Sequence, residues 1–308
     1  MEKAVYAGSV GEAFSSKSVV SVAKPPWSGK PHNGKLERII LQLGAGKGRF
    51  SEVEGIPRSI GCIGNNRFIL RREPLSIERM KELLIEFRKL GGKEVWLTNY
   101  DNIGTLLALS VFASELEFPG VYAVVLFDDL DKVTPIEGVN FIAELSYPEH
   151  TLDELSAYPW LHGALVTITP EDFSRGLFPG NFRGEVYVDI LFPGSARKLS
   201  FNVIELRRIY NPSTERYHDC LAGTVAVTAD GYALPCPLLR NYVVGDLTRM
   251  TLKETLRKKR LRSFWRMTKD NIPTCAACPF KYICHDCRAL EYQATGEIDG
   301  VEYCPISL

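Results

Sequence analysis

The residues of this chain whose types and spacing could do chemistry are its cysteines, seven of which lie in the last third of the 308 positions. In order they are Cys220, Cys236, Cys275, Cys278, Cys284, Cys287 and Cys304. The middle four form two C-x2-C pairs in one short segment. Thiolates separated by two residues can converge on one metal centre from a single turn, which is why this spacing recurs at zinc and iron-sulfur sites. The pattern therefore predicts metal binding.

Composition and charge narrow the class of protein further. The 37 basic and 37 acidic residues cancel, so no overall field favours nucleic acid or an anionic membrane. The first residues lack the apolar segment of a signal peptide, and no apolar run reaches the length of a membrane span. We expect a cytoplasmic protein that binds neither nucleic acid nor membranes. In a reducing compartment, clustered cysteines favour metal ligation over disulfides.

The elements that must position the cysteines begin with alternating strands and helices between residue 36 and about residue 205. Apolar runs at 36–43, 94–98, 122–127, 139–145, 164–168 and 186–191 read as buried strands, the first of them being the first barrel strand, and residues 77–90 and 102–116 have helical spacing. Ser76 is the predicted N-cap of the first helix, and Gly91 and Gly92 its stop. Continuous apolar strands that alternate with helices predict a parallel sheet covered by helices. About six units are too few for a closed eight-fold barrel, so a partial barrel or an open doubly wound sheet is expected.

Polar residues follow these strands at the ends where ligands bind in such sheets. They are Gly44–Gly48, Asn99, Tyr100, Asp101, Asp128, Asp129, Ser146 and Thr169. Turn and helix-cap roles are favoured for them over substrate binding. The glycine loop lacks the spacing and the Lys-Ser/Thr pair of a phosphate-binding loop, so a flexible loop is the default prediction.

Three segments are predicted: an irregular N-terminal arm over 1–35, an α/β barrel over 36–210 and a cysteine-rich domain over 211–308. In the last of these, the Asp-Gly signal at Asp230 and Gly231 predicts a β-hairpin that brings Cys220 and Cys236 together at its open end. A single basic helix is predicted from about residue 252 to residue 267, with a solvated face rather than a nucleic-acid contact.

The cysteine pattern resembles that of radical S-adenosylmethionine enzymes with a C-terminal SPASM domain. The family pattern is C-x9-15-G-x4-C, a gap, C-x2-C-x5-C-x3-C, a gap and a last cysteine. Here Cys220, Gly231 and Cys236 fit its first part, and Cys287 comes one residue early. The stretch Pro235-Cys236-Pro237 is similar to the proline-cysteine landmark of the family, and Gly245-Asp246-Leu247 is similar to its glycine-turn landmark. The resemblance implies a partial (β/α)6 TIM-like barrel followed by a small iron-sulfur domain.

The resemblance also implies how the cysteines divide between centres. One auxiliary [4Fe-4S] cluster would be bound by a set of four: Cys275, Cys278, Cys284 and Cys304. A second would be bound by a set of three: Cys220, Cys236 and Cys287. The segment 221–230 contains no cysteine that could supply a fourth ligand. Three alternatives remain: the second cluster has an open iron site, it has a non-cysteine ligand such as Asp219 or His218, or it does not form. Zinc is the competing metal, because four thiolates also suit a tetrahedral ion; the resemblance favours iron-sulfur.

The chain departs from the family at the site that cleaves S-adenosylmethionine. That site needs C-x3-C-x2-C in the loop after the first barrel strand, and the stretch 44–66 contains only Cys62. Where the family has a Gly-Gly-Glu-Pro stretch, this chain reads Thr-Asn-Tyr-Asp-Asn over 98–102. No catalytic residue is assigned, and Cys62 is expected to be a small buried hydrophobe.

The favoured hypothesis is an iron-sulfur protein without a radical-generating centre of its own. It would act as an electron relay, or as an accessory that binds a substrate or partner in peptide or cofactor maturation, the partner being a protein or peptide such as an active radical enzyme. Two alternatives stay open. One is an enzyme that uses the barrel mouth for non-radical chemistry, either by binding S-adenosylmethionine without a cluster or by using Asp101, Asp128 and Asp129 as acid-base groups. The other is a zinc-stabilised interaction module.

Overall fold

The computed structural model describes residues 19–51, 58–174, 182–191, 205–206, 210–285 and 287–304. The strands are β1 (Val19–Val22), β2 (Arg38–Gln42), β3 (Phe50–Ser51), β4 (Asn66–Arg67), β5 (Glu94–Thr98), β6 (Gly120–Leu126), β7 (Asn140–Ser146), β8 (Gly163–Ile168), β9 (Glu185–Ile190), β10 (Glu205–Leu206), β11 (Thr224–Val227), β12 (Tyr232–Leu234), β13 (Gly245–Asp246) and β14 (Cys284–His285). The α-helices are α1 (Ile77–Lys89), α2 (Ile103–Glu115), α3 (Pro170–Ser174), α4 (Leu252–Arg257), α5 (Lys259–Trp265), α6 (Pro273–Ala276) and α7 (Arg288–Thr295). Short 3-10 helices cover Phe127–Lys132, Leu152–Ala157, Pro212–Glu215 and Lys269–Asn271.

One ten-stranded sheet organises the described part of the chain, in the order β1-β9-β8-β7-β6-β5-β2-β11-β12-β13. Its centre is the run β2, β5, β6, β7, β8 and β9, six parallel strands that lie side by side in chain order. The sheet ends at β1 on one side and at β13 on the other. The predicted partial (β/α)6 barrel is confirmed, with extra strands on both edges.

The two faces of the central strands pack against different partners because successive side chains point to opposite sides. Outward-facing residues such as Val95 and Leu97 join Leu83 and Leu106 of the flanking helices in one apolar cluster. Inward-facing residues such as Trp96 belong to a second cluster inside the barrel. The barrel interior is therefore filled by side chains at this level.

The first two helices begin where side chains cap them. Ser76 Oγ accepts a hydrogen bond from Arg79 N at 3.2 Å, and Asn102 Oδ1 accepts one from Gly104 N at 2.7 Å. Each bond satisfies an amide that has no partner within the helix. The predicted Ser76 cap is confirmed, and α1 ends just before Gly91, whose φ is +81°. The connection after Ile168 is helical over Pro170–Ser174.

Two predictions about segments were wrong. Residues 1–35 were expected to be irregular, but Val19–Val22 forms β1, which pairs in parallel with β9 at the edge of the sheet. Residues 1–18 lie outside the described part. The basic segment was expected to be one helix, but it is broken at Lys258, whose ψ of 129° is extended. Leu252 of α4 and Leu261 of α5 are both buried, and the break allows the two short helices to pack separately.

The predicted β-hairpin is confirmed as β11 and β12, with Gly231 at φ +84° in its turn. Its position was not predicted. Strand β11 pairs in parallel with β2, so the hairpin extends the barrel sheet. The cysteine-rich part of the chain is therefore joined to the first barrel strand by backbone hydrogen bonds. The boundary at 210 remains a prediction.

Candidate metal centres

Cysteines from three distant parts of the chain line one cavity beside the first barrel strand. They are Cys62, Cys220, Cys236 and Cys287. The other walls are mostly apolar and include Trp27, Ile40 and Leu238. We call this space the inner cavity. The sequence predicted three of these cysteines as one set, and the structure adds Cys62 to them.

Cys220 precedes β11 and Cys236 follows β12, so both reach the inner cavity from the open end of the hairpin. The backbone around Cys220 is held on both sides. Its carbonyl accepts a hydrogen bond from Trp27 Nε1 at 2.9 Å, and its amide donates to His218 Nδ1 at 3.2 Å. The amide of Leu221 donates to the same nitrogen at 3.3 Å. The pairing of β11 with β12 fixes the separation of the two cysteines.

Cys287 lies at the N-terminal end of α7, where its carbonyl accepts from Glu291 N at 3.1 Å. It lines the inner cavity, whereas Cys284 lines a different one. The second C-x2-C pair is therefore divided between two sites. This division is the one that the family resemblance implied.

The second space, which we call the outer cavity, is lined by the other four cysteines. They are Cys275, Cys278, Cys284 and Cys304. Tight turns present three of them, with amide-to-carbonyl hydrogen bonds from Cys278 to Cys275 at 2.9 Å, from Cys284 to Phe280 at 2.8 Å and from Cys304 to Val301 at 3.1 Å. The charged side chains of Lys269, Arg288 and Glu291 also line this cavity.

The electrostatic environments of the two cavities differ. In the inner cavity, burial raises the pKa of Cys236 to about 11 and that of Cys287 to about 12. Burial also raises the pKa of Cys62 and of Cys220, and the neighbouring thiols of the same cavity raise both further. These four groups bind metal only with release of their protons.

In the outer cavity, burial again raises the pKa of Cys275 and of Cys284. Here Lys269 opposes the shift at both thiols, and Arg288 opposes it at Cys275. Burial in turn lowers the pKa of Lys269 and of Arg288. The outer cavity thus combines four thiols with one carboxylate, Glu291, and three cationic side chains, Lys269, Lys281 and Arg288. These cations would offset the negative charge of a thiolate-bound cluster.

The donor sets match the ligand requirement of a cluster. A [4Fe-4S] cluster is held by four cysteine thiolates. Each cavity is lined by four thiols. Within the described ranges, no three His, Cys, Asp or Glu side chains are placed so as to hold a single metal ion. The four cysteines that line each cavity fit a cluster in number and type.

The segment that carries Cys62 is fixed by a buried ionic network inside the barrel. Arg58 is 1 % exposed, and its Nε donates to Asp189 Oδ2. Its Nη1 donates to Glu144 Oε1 at 2.9 Å and to the Asn65 carbonyl at 3.0 Å. Burial alone would lower the pKa of Arg58, but the two carboxylates raise it overall, so the guanidinium stays charged. Residues on both sides of Cys62 are thereby tied to the barrel wall.

Asparagine side chains complete the filling of the barrel interior. The amide of Asn65 donates to Glu144 Oε2 at 2.6 Å, and Asn65 Oδ1 accepts from Asn99 N at 2.7 Å. Asn66 N donates to Asn99 Oδ1 at 3.2 Å. Asn99 was one of the polar residues predicted at the strand ends, and here it holds the loop.

The aspartates considered as acid-base groups make structural contacts. Asp101 accepts hydrogen bonds from Ala45 N at 3.0 Å and from Gly46 N at 2.8 Å. Asp129 forms ion pairs with Lys47 and Lys132 and accepts from Tyr100 at 2.8 Å. Although burial raises the pKa of Asp129, these donors lower it overall.

The third aspartate, Asp128, is mostly exposed, with 89 % of its side-chain surface accessible. His150 Nε2 lies 3.8 Å from its carboxylate. Nothing in the contacts of the three aspartates singles one out as an acid-base group.

Residues 220–279 match the family model of the SPASM domain, described as an iron-sulfur cluster-binding domain. The chain carries a SPASM domain. The match covers about a fifth of the sequence and includes four of the seven predicted ligands, Cys220, Cys236, Cys275 and Cys278. The observed fold is a mixed α/β structure with a parallel sheet, and the SPASM domain follows it.

Two solved structures of SuiB from Streptococcus suis are similar in fold. One, bound to S-adenosylmethionine, is 10 % identical with a TM-score of 0.48, and the match covers 84 % of this chain and 73 % of SuiB. The other is 9 % identical with a TM-score of 0.47, covering 84 % and 74 %. No curated protein matches the sequence. No helix in the described residues is long and apolar enough to cross a membrane.

Two features of the site were missed from the sequence. Cys62 was not assigned to a centre because it lies far from the other cysteines in the chain. The sequence did contain a signal, because the second set had only three cysteines and Cys62 was the one cysteine that belonged to neither set. The Arg58 network was also missed, although Glu144 and Asp189 are charged residues within otherwise apolar strands.

Proposed function

We propose that the protein binds two iron-sulfur clusters, one in each cavity, and passes electrons to or from a partner protein without cleaving S-adenosylmethionine. The observation that carries the proposal is the separation of eight cysteines into two groups of four around two cavities. A thiolate-bound [4Fe-4S] cluster supplies one-electron redox chemistry over a wide range of potentials. Further support is the SPASM match, whose family binds iron-sulfur clusters.

The two sites would play different parts in this function. The outer cavity is lined by residues that are partly exposed, among them Phe280 at 37 %. The inner cavity lies between the hairpin and the barrel and is walled by buried Trp27 and Ile40. An electron exchanged with a partner would therefore enter or leave by the outer site. The partner would be a protein or peptide that takes part in peptide or cofactor maturation.

The proposal that the chain does not cleave S-adenosylmethionine rests on the loop after β2. Its single cysteine cannot replace the three thiolates of a radical-generating cluster, and Arg58, Asn65 and Asn66 fill the barrel interior. These three side chains are each 1 % exposed, so they occupy part of the barrel interior.

Anaerobic purification followed by reduction tests both parts of the proposal. The visible absorption of the oxidised protein should bleach with dithionite and return when an electron acceptor such as a flavodoxin is added. Incubation of the reduced protein with S-adenosylmethionine should yield no 5′-deoxyadenosine. Formation of 5′-deoxyadenosine would contradict the non-catalytic role, and a colourless protein with bound zinc would contradict cluster binding altogether. The double variant Cys275→Ala/Cys284→Ala should keep the inner-site absorption and lose the outer.

A further inference from the structure

We propose that Cys62 is the fourth thiolate ligand of the inner cluster, so that this cluster has no iron open to substrate or solvent. The inference rests on the proposed function, because it assumes that the inner cavity holds a [4Fe-4S] cluster. It goes beyond it by naming a ligand outside the SPASM domain. That ligand comes from the loop of the barrel that connects β2 to α1.

The placement of Cys62 carries the argument. It lines the same cavity as Cys220, Cys236 and Cys287, and is partly buried there. Four cysteine ligands satisfy all four irons of a cluster of this type.

The backbone around Cys62 is held in position by contacts that leave little freedom. The amide of Ile60 donates to Asp189 Oδ1 at 2.8 Å, and the amide of Ile63 donates to the Ile60 carbonyl at 3.1 Å in a tight turn. At Gly61, an added Cβ would lie 3.0 Å from Leu238 Cδ1 and 2.7 Å from Arg58 Cγ. The turn is therefore packed directly against the SPASM segment that follows Cys236.

The non-cysteine ligands considered from the sequence have other hydrogen-bond partners, and His218 Nδ1 lies 3.6 Å from Cys220 Sγ. His218 Nδ1 accepts hydrogen bonds from two backbone amides, at 3.2 Å and 3.3 Å. Asp219 Oδ1 accepts from Gly29 N at 3.0 Å. Neither residue lines the inner cavity, whereas Cys62 does. Among the residues that line it, Cys62 is the one that completes a four-thiol set.

Two consequences follow from complete cysteine ligation. The inner cluster would serve electron transfer rather than direct binding of a substrate, since every iron has a protein ligand. The cluster would also link the barrel loop covalently to the SPASM domain through iron and sulfide. A substitution in the barrel, at Arg58 for example, would then disturb a centre whose other ligands are more than 150 positions away.

The test uses the full chain with the outer site removed by Cys275→Ala/Cys284→Ala, so that the inner cluster is observed alone. This parent should bind about four irons per chain. Cyanide, a small ligand for an open iron, should leave its electron paramagnetic resonance spectrum unchanged. With Cys62→Ser added, the spectrum should shift and become sensitive to cyanide. Cys62→Ala should lose about a quarter of the iron, because one corner lacks a ligand.

The outcomes test separately whether Cys62 is a ligand and whether the protein binds clusters at all. If the parent is sensitive to cyanide to the same extent as the serine variant, the inner cluster already has an open iron and Cys62 is not its ligand. If both Cys62 variants keep the iron content and spectrum of the parent, the inference is equally wrong. If a variant fails to fold, the unsubstituted protein is tested instead. Cyanide should leave its electron paramagnetic resonance spectrum unchanged, and a shifted spectrum would show an open iron. Absence of iron from the unsubstituted protein would overturn the proposed function itself.

Discussion

Replacing Arg58 with methionine should destabilise the protein by about 3–5 kcal/mol at neutral pH, because removing one partner of a buried ion pair leaves charge without compensation. Arg58, Glu144 and Asp189 are 1 %, 5 % and 0 % exposed, so water cannot replace the lost guanidinium. Asp189 keeps hydrogen bonds from Ser59 Oγ at 3.0 Å and from Ile60 N at 2.8 Å. Glu144 keeps the amide of Asn65 at 2.6 Å. These remaining donors limit the loss to the stated range.

The loss should shrink as the pH falls. Burial already raises the pKa of Glu144 above its usual value with Arg58 in place, and removing the cation raises it further. A carboxyl group whose pKa is higher in the folded state stabilises the fold while protonated, below its unfolded pKa, and this stability is lost as the pH rises through the folded pKa. In the Arg58 variant, uptake of one proton should recover about 1.4 kcal/mol for each pH unit from the new folded pKa down to the unfolded pKa, and no more below that.

Urea unfolding under anaerobic conditions at several pH values, followed by tryptophan fluorescence, measures both effects. Arg249→Met is a matched control, since this side chain is 85 % exposed and lies 4.0 Å from its acidic neighbour Asp246. It should change stability by no more than about 0.5 kcal/mol. The triple variant Arg58→Met/Glu144→Gln/Asp189→Asn should recover part of the loss. A change no larger than that of the Arg249 control, or one that does not vary with pH, would refute the buried network.

Two further predictions concern the outer site and the glycine loop. Lys269→Met should lower the reduction potential of the outer cluster by roughly 100 mV, because it removes a cation that lines the cavity; this is the order of magnitude for one nearby unit charge at a dielectric constant of about 20. A redox titration measures it; exposed Lys259→Met should leave the potential unchanged, and equal shifts in both variants would contradict the assignment. Gly46→Ala should cost about 3 kcal/mol or more, because φ is +84° and the new Cβ would lie 1.9 Å from the Asn66 carbonyl. Gly91→Ala has the same sign of φ but no atom within 4 Å, so it should cost only about 1 kcal/mol, and similar unfolding midpoints for the two variants would be inconsistent with the close approach.

The barrel could be predicted from the sequence because each unit carries its own local signals. The segment 94–98 is a short apolar run bounded by polar residues, and it forms β5 with four of its five residues buried. Ser76 precedes a helical spacing and caps α1 as expected. These signals depend on neighbours within a few positions. The open ends of the sheet also followed from counting the units.

Features that depend on distant contacts were not predicted. The strand Val19–Val22 is rich in β-branched valine, which favours a strand, but its pairing with β9 depends on a segment more than 160 positions away. The break at Lys258 lies among Lys and Arg residues, which favour helix and contain no stop signal. Cys62 meets the SPASM cysteines because the β11–β12 hairpin pairs with β2 and so lies next to the loop that follows it.

The division of the SPASM cysteines between two sets came from the family resemblance rather than from spacing. In the structure each of the two sets lines its own cavity. Their role as cluster ligands remains a prediction. The number of thiols in the inner set, four rather than three, required the three-dimensional arrangement.

The measurement that tests the central claim most directly is Mössbauer spectroscopy of protein purified anaerobically from cells grown on ⁵⁷Fe, combined with iron, sulfide and zinc analysis of the same sample. Two fully ligated [4Fe-4S] clusters predict about eight irons and about eight sulfides per chain, with essentially all iron in cluster-type sites and negligible zinc. Stoichiometric zinc with little iron would contradict the account.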